Sequence, residues 1–287
     1  MIISRLIGGL GNQMFQYAVG RSLAIANSCE LKLDVSGFEN YTLHNGYELD
    51  IFNIKAGIAN SKEVSRLVSK QSRLMRFVFR KLKIKKSTHF LEKSFTFDHN
   101  FFDAKPPVYL DGYWQSYKYF ESIEPQLKQE FSLKNSISRL NLDISEQISS
   151  VNAVSVHIRR GDYVSNKHTN SVHGLCSLDY YRAAIQTITE RVENPFFFIF
   201  SDDIAWIKDN LTTNSDTVYV DHNSGKQSYN DMYLMSLCQH HIIANSSFSW
   251  WGAWLGANAK KIVIAPKQWF VNDTVTNDLI PKSWLRL

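Results

Sequence analysis

Residues 151–164 read VNAVSVHIRRGDYV, and this stretch constrains the chain more than any other. Val151, Val154, Val156 and Ile158 give a β-branched apolar run, the pattern of a buried strand. The run ends in His157, Arg159, Arg160, Gly161 and Asp162. Cationic donors, a turn glycine and a carboxylate therefore gather at a strand's carboxyl end, where open α/β sheets bind ligands. Arginine presents a rigid fork of donors matched to phosphate or carboxylate. Neighbouring residues of a strand point to opposite faces, so one arginine can clamp an anion while the other packs against an acid such as Asp162. The cluster points to an anion site, phosphate first. The simpler alternative is a salt bridge at a strand end.

Beyond this strand the pattern repeats. A helix is expected over 177–192, a strand over 196–200 (FFFIF) and a helix over 204–210. A strand over 218–220, a helix over 228–239, a strand over 242–244, a helix over 248–257 and a strand over 262–265 follow. Short strands alternating with helices predict a parallel, doubly wound sheet. The tryptophans of WWGAWLG are read as core rather than as a ligand platform.

The first half reads as a second, less regular α/β unit. Ile2–Ile7 is a strand, Gly8, Gly9 and Gly11 a tight turn, and 12–26 a helix with Phe15, Ala18, Val19, Ser22 and Ile25 on one face. This turn is neither the GxGxxG fingerprint nor a P-loop. Asn12 and Gln13 put side-chain amides at the helix start, either toward a ligand or as an N-cap. A strand is expected over 31–35, a polar–aromatic loop over 38–49 with His44, Tyr47 and Glu48, a strand over 108–113 and a helix over 117–131. The polar stretch 132–150 is the expected boundary, giving domains 1–150 and 151–287 that face each other across a cleft.

Residues 62–86 carry ten Lys or Arg against Glu63 alone, although the whole chain has a formal net charge of only +5. Their apolar spacing predicts a basic amphipathic helix, with a solvated face or a membrane surface as the two readings. Such local basicity gives no reason to expect nucleic acid. Three widely spaced cysteines without CxxC form neither a zinc pattern nor a disulfide framework. No run has the length of a membrane span or the layout of a signal peptide, so a cytoplasmic protein is expected.

Polar groups collect at successive strand ends: His157–Asp162, Ser201–Asp203, Asp221 and Asn245–Ser247. The Asn-Ser-Ser turn opens a helix whose N–H groups and hydroxyls suit a phosphate. A nucleotide diphosphate fits this set. Asp202 and Asp203 suggest Mg²⁺ as an alternative, but arginine already supplies positive charge, and no essential metal is expected. GxSxG is absent, which argues against a serine hydrolase.

Four motifs in order carry a resemblance over nearly the whole chain: GGLGNQMFQYA (Gly8–Ala18), VHIRRGDY (Val156–Tyr163), FSDD (Phe200–Asp203) and IIANSSFSWWGAWLG (Ile242–Gly256). Together with LHNGYEL (Leu43–Leu49), they resemble the bacterial α-1,2-fucosyltransferases of glycosyltransferase family 11, within the GDP-fucose-dependent superfamily. The resemblance implies a GT-B fold, with an acceptor-side N-terminal domain and a donor-binding C-terminal domain. It implies inverting transfer of L-fucose from GDP-fucose to the 2-hydroxyl of a terminal galactose, as in surface polysaccharide or O-antigen synthesis, without an essential metal. Another linkage or acceptor, or a non-catalytic nucleotide- or glycan-binding module, are the alternatives.

Carried over by motif, Arg159 stabilises the departing β-phosphate, and His157 and Asp231 read the guanine. Ser246, Ser247 and the Phe248 backbone hold phosphate. Gly11, Asn12 and Gln13 reach donor or acceptor, and Arg160, Asp162 and Asp202 support them. The base is open between Asp162, Asp34, His44 and the departing phosphate itself. Work on a lipid-linked glycan would give the 62–86 segment a reason to touch the inner membrane face.

Overall fold

In the computed structural model, which describes residues 1–39, 41, 44–68, 88–161, 171–172, 174–272 and 274–287, strand β1 (Ile2–Arg5) leads through the glycine turn into helix α1 (Leu10–Ala26). The helix starts two residues before the expected Asn12, because extended Gly9 is its N-cap. Residues 8–9 turn sharply, and Gly8 has φ +78°, a conformation that side chains resist. The chain divides into two units, Met1–Lys134 with Asn277–Leu279, and Asn135–Thr276 with Ile280–Leu287.

The first unit holds a five-stranded sheet of order β3-β2-β1-β5-β4, all parallel. The strands joining β1 are β2 (Leu31–Asp34), β3 (Gly57–Ile58), β4 (His89–Leu91) and β5 (Val108–Asp111). Parallel neighbours need crossovers, and α1 supplies the first, burying Met14, Phe15, Tyr17, Ala18 and Val19. The helix expected over 117–131 is broken. Two 3₁₀ turns precede α3 (Glu124–Glu130), because Pro125 cannot donate to a preceding turn and fits only a first turn. Glu130 anchors α1, accepting from the Tyr17 hydroxyl and pairing with Arg21 at 2.8 Å.

One expectation is corrected in this part. Helix α2 (Ser61–Leu67) begins with an Asn60–Glu63 capping box but ends at Leu67, where Val68 turns extended. The helix expected over 62–86 is therefore not continuous from its start, and residues 69–87, which carry the membrane reading, lie outside the described residues. Among the described residues no helix is long and apolar enough to cross a membrane. The division between Lys134 and Asn135 falls within the expected boundary stretch 132–150, at its start rather than at 150. Helix α4 (Arg139–Ser150), capped by Ser138, belongs to the second unit.

The second unit holds a six-stranded parallel sheet of order β11-β10-β9-β6-β7-β8. Its strands are β6 (Asn152–Ile158), β7 (Pro195–Ser201), β8 (Thr217–Val220), β9 (His240–Ile242), β10 (Val263–Ala265) and β11 (Leu285–Arg286). The helices are α5 (Leu178–Thr189), α6 (Ile204–Asn210), α7 (Tyr229–Leu237) and α8 (Ser247–Leu255). Strand β6 lies inside the sheet and is buried from Ala153 to Ile158. Val154, Val156 and Ile158 join the core cluster of Tyr181, Ile185, Ile188, Phe197 and Ile199. Strand alternation turns Ser155 and His157 to the other face. β9 sits two residues earlier than expected. Trp250 and Trp251 are fully buried, which confirms them as core.

Candidate active site

In the second unit the organising strand delivers its charges as paired groups. Arg159 Nη1 meets Asp202 Oδ2 at 2.9 Å. Arg160 Nε meets Asp203 Oδ2 at 3.1 Å, and the Arg160 guanidinium lies 3.4 Å from the centre of the Trp206 ring. The Arg160 backbone N–H donates to Asp202 at 2.8 Å. The register explains this. Ile158 is level with Ser201, so the residues just beyond each strand meet at one edge. Both arginines are therefore paired with an acid, Arg159 with Asp202 and Arg160 with Asp203 beside Trp206. Asp162, foreseen as such an acid, lies outside the described residues. A Cβ on Gly161 would stand 2.6 Å from Asp202 Oδ2, so only glycine lets the turn approach this carboxylate. The Arg159 side chain keeps 29% of its surface exposed and can be reached by an anion.

His157 stands behind these arginines, 6% exposed, with its ring centre 5.6 Å from that of Phe248. Burial pushes the imidazole down to about 4, and the Arg159 charge pushes the same way. It is therefore neutral at pH 7. Its Nδ1 is buried without a partner among the described residues. Ser246 caps α8, its Oγ accepting from the Phe248 N–H at 3.3 Å. Ser247 opens that helix. The capping bond, the helix N-terminus and Arg159 together favour negative charge. Asp203 caps α6, accepting from the Trp206 N–H at 3.3 Å, while Asp202 serves the arginines. Among the described residues no group of three or more His, Cys, Asp or Glu is placed to hold a metal ion.

Asp231 has other partners. It accepts from Asn223 Nδ2 at 2.8 Å, in a chain through Asn141 to His222. Burial pushes its carboxyl up to about 7, against the Asn223 bond.

In the first unit the glycine turn is surrounded by amides. Gln13, fully buried, donates to the Gly8 carbonyl at 3.0 Å and the Gly46 carbonyl at 2.8 Å, and accepts from the Glu48 N–H at 3.0 Å. It therefore fastens the 44–48 loop to the turn and is not an N-cap. A Cβ on Gly9 would stand 3.4 Å from the His44 ring, so exposed His44 lies over the turn beside buried Gly11. Asn12 is not an N-cap either. Its Oδ1 accepts from Gln115 Nε2 at 2.7 Å. Asp34 is 4% exposed and already accepts from the Tyr109 hydroxyl at 2.6 Å and the Ser36 N–H at 3.0 Å, which suits structure rather than base chemistry.

Residues to which the motifs assigned no role complete this turn. Gln16 accepts from the Ile7 N–H at 2.9 Å and donates to the Gly112 carbonyl at 3.2 Å. Trp114 has φ +57°, and the buried Gln115 Oε1 and Ser116 Oγ have no partner among the described residues. The polar pair Gln115-Ser116 directly after the strand expected over 108–113 was the available signal, at a strand's carboxyl end like those of the second half.

Two Rossmann-type units, each ending its parallel strands in polar groups, are the architecture of the GT-B fold. The same fold occurs in the solved NodZ α-1,6-fucosyltransferase soaked with GDP-fucose, with TM-score 0.52 at 16% identity over 92% of this chain and 94% of that one. The profile described as "Glycosyl transferase family 11" matches residues 2–287, and the chain belongs to that family. It is 40% identical to an "Alpha-1,2-colitosyltransferase" of Escherichia coli, covering 100% of this chain and 99% of the relative. It is 35% identical to an "O-antigen biosynthesis glycosyltransferase WbnK" of Escherichia coli, covering 99% of each.

Proposed function

We propose that this glycosyltransferase moves L-fucose from GDP-fucose to the 2-hydroxyl of a terminal galactose in a surface glycan, with inversion and without an essential metal. The observation that carries the reading is Arg159, fixed by Asp202 at 2.9 Å and still partly exposed at the carboxyl end of β6. As the bond from the sugar to the nucleotide breaks, negative charge grows on the β-phosphate. A guanidinium already held in place meets that charge without reorganisation. The α8 N-terminus, with Ser246, Ser247 and the Phe248 N–H, receives phosphate oxygens. Neutral His157 offers its unpartnered Nδ1 to the nucleotide base, and Asp231 serves the same base. Asn12, with Gln115 behind it, and His44 attend the sugars at the first unit's turn. The acceptor proton goes to the departing phosphate or to His44.

The full-length likeness to a colitosyltransferase supports a second donor, GDP-colitose. Colitose lacks one hydroxyl of fucose. A site that hydrogen-bonds this hydroxyl rejects the deoxy sugar strongly, whereas an apolar contact discriminates weakly. The test is purified protein with either donor in EDTA, with and without β-galactosides, following GDP release and product linkage. Galactoside-dependent GDP and an α-1,2 product are expected. Turnover only with GDP-colitose replaces the donor, and a requirement for Mg²⁺ overturns the metal-free mechanism.

A further inference from the structure

The first unit carries a pocket of about 300 Å³ to which the reading above assigns no role. Half-buried Phe90 and Phe97 form its apolar side, backed by the buried rings of Trp114 and Tyr119, and polar groups that include Lys93, Asp98 and His99 line the rest. The Trp114 and Tyr119 ring centres lie 5.6 Å apart, and those of Phe97 and Tyr119 4.8 Å apart. Glu92 supplies a carboxylate and Ser94 an exposed hydroxyl at the rim. Glu92 accepts from the Tyr113 N–H at 2.7 Å and the Trp114 N–H at 3.0 Å. A carboxylate has room for about four such bonds, so acceptor capacity remains.

Two further features mark this place. Glu92 holds Trp114 at φ +57°, a conformation that side chains rarely adopt and that tends to occur at ligand clamps. The Trp114 indole Nε1 is buried without a partner among the described residues. The residue after it is Gln115, which holds Asn12, so one short segment serves both the pocket and the glycine turn.

The chemistry selects the ligand. The half-buried Phe90 and Phe97 rings suit the C–H face of a pyranose, and a carboxylate accepts from its hydroxyls. A phosphate would meet Glu92, with Lys93 the nearby cation, 3.7 Å from Asp98. We propose that the pocket is a sugar subsite that takes a neutral pyranose of the acceptor glycan, with Glu92 accepting from its hydroxyls. This inference rests on the glycan-acceptor reading above.

The test uses the full chain without any donor, with lactose as the probe in saturation-transfer NMR. Lactose should saturate in the wild type. Ser94→Trp, which fills the pocket from an exposed position, should weaken lactose binding about tenfold or more. Glu92→Gln should weaken it as well. Melting temperature and GDP affinity, measured on the same samples, report folding. The proposal is overturned if lactose does not bind the wild type or binds Ser94→Trp equally well. If lactose binds and Ser94→Trp abolishes it while no donor is turned over, the transfer reading falls and the subsite stands. Transfer to lactose with an unchanged KM in Ser94→Trp removes the subsite alone.

Discussion

The two units use one architecture with different chemistry just beyond the central strand. Both end a central parallel strand, β1 or β6, at a glycine-containing turn. At β6 the polar groups are ion pairs, Arg159–Asp202 and Arg160–Asp203, beside a capped helix N-terminus. At β1 the groups nearest the helix start are amides, while Arg5 at the strand's end is held by Asp111 at 2.9 Å. Gln13 and Gln16 spend their bonds on backbone, and Asn12 bonds Gln115. Charge clusters suit an anion whose charge changes during reaction. Amides suit neutral hydroxyls and hold loops together. The proposed nucleotide-sugar donor and glycan acceptor would call for this division.

The largest expected effect is at the charged end. Arg159→Ala should lower kcat by a factor on the order of 10²–10³, about 3 kcal/mol of transition-state stabilisation. Steady-state GDP release checks it, and near-normal turnover would remove the contrast between the units.

His157 comes next. Its folded value of about 4 lies below the ordinary 6.5 because burial excludes the charged form. Between these values the unfolded chain binds a proton that the folded one does not, so stability falls as pH drops from about 6.5 to 4. The full loss is on the order of 3 kcal/mol. Denaturant unfolding at pH 7 and pH 4 should show the wild type losing more stability than His157→Gln by that amount, because Asp231, pushed up to about 7, shifts both proteins alike in the opposite sense. The amides of the first turn do not titrate.

Gln13→Ala should cost about 1–3 kcal/mol, because it leaves the Glu48 N–H and two carbonyls without this partner. Unfolding measurements and protease nicking at 44–48 would detect the released loop. Ser246→Ala removes the α8 cap and should cost about 1 kcal/mol of stability. A larger loss in GDP affinity than in stability would show that the hydroxyl meets phosphate.

Much of this contrast was legible in the chain. The β6 run, the FFFIF strand and the helices after them follow hydrophobic period, and their polar ends follow from strand direction. Asp202 and Asp203 were legible as acids at a strand end, but their assignment to Arg159 and Arg160 depends on the β6–β7 register, which no local pattern carries. The amide side was harder to read. Gln13 resembles an N-cap until the fold brings Gly46 and Glu48 beside it, 33 and 35 residues away. Glu92 and Gln115 lie near short strands with little periodicity, and they become informative only once β4 and β5 pair. β3, β4 and β11, of two or three residues each, are too short to leave a pattern.

The most direct measurement is calorimetric titration of GDP into the wild type and Arg159→Ala. The account predicts binding to the wild type and an affinity lowered about tenfold or more in the variant. Equal affinity would contradict the placement of the nucleotide phosphates at the end of β6.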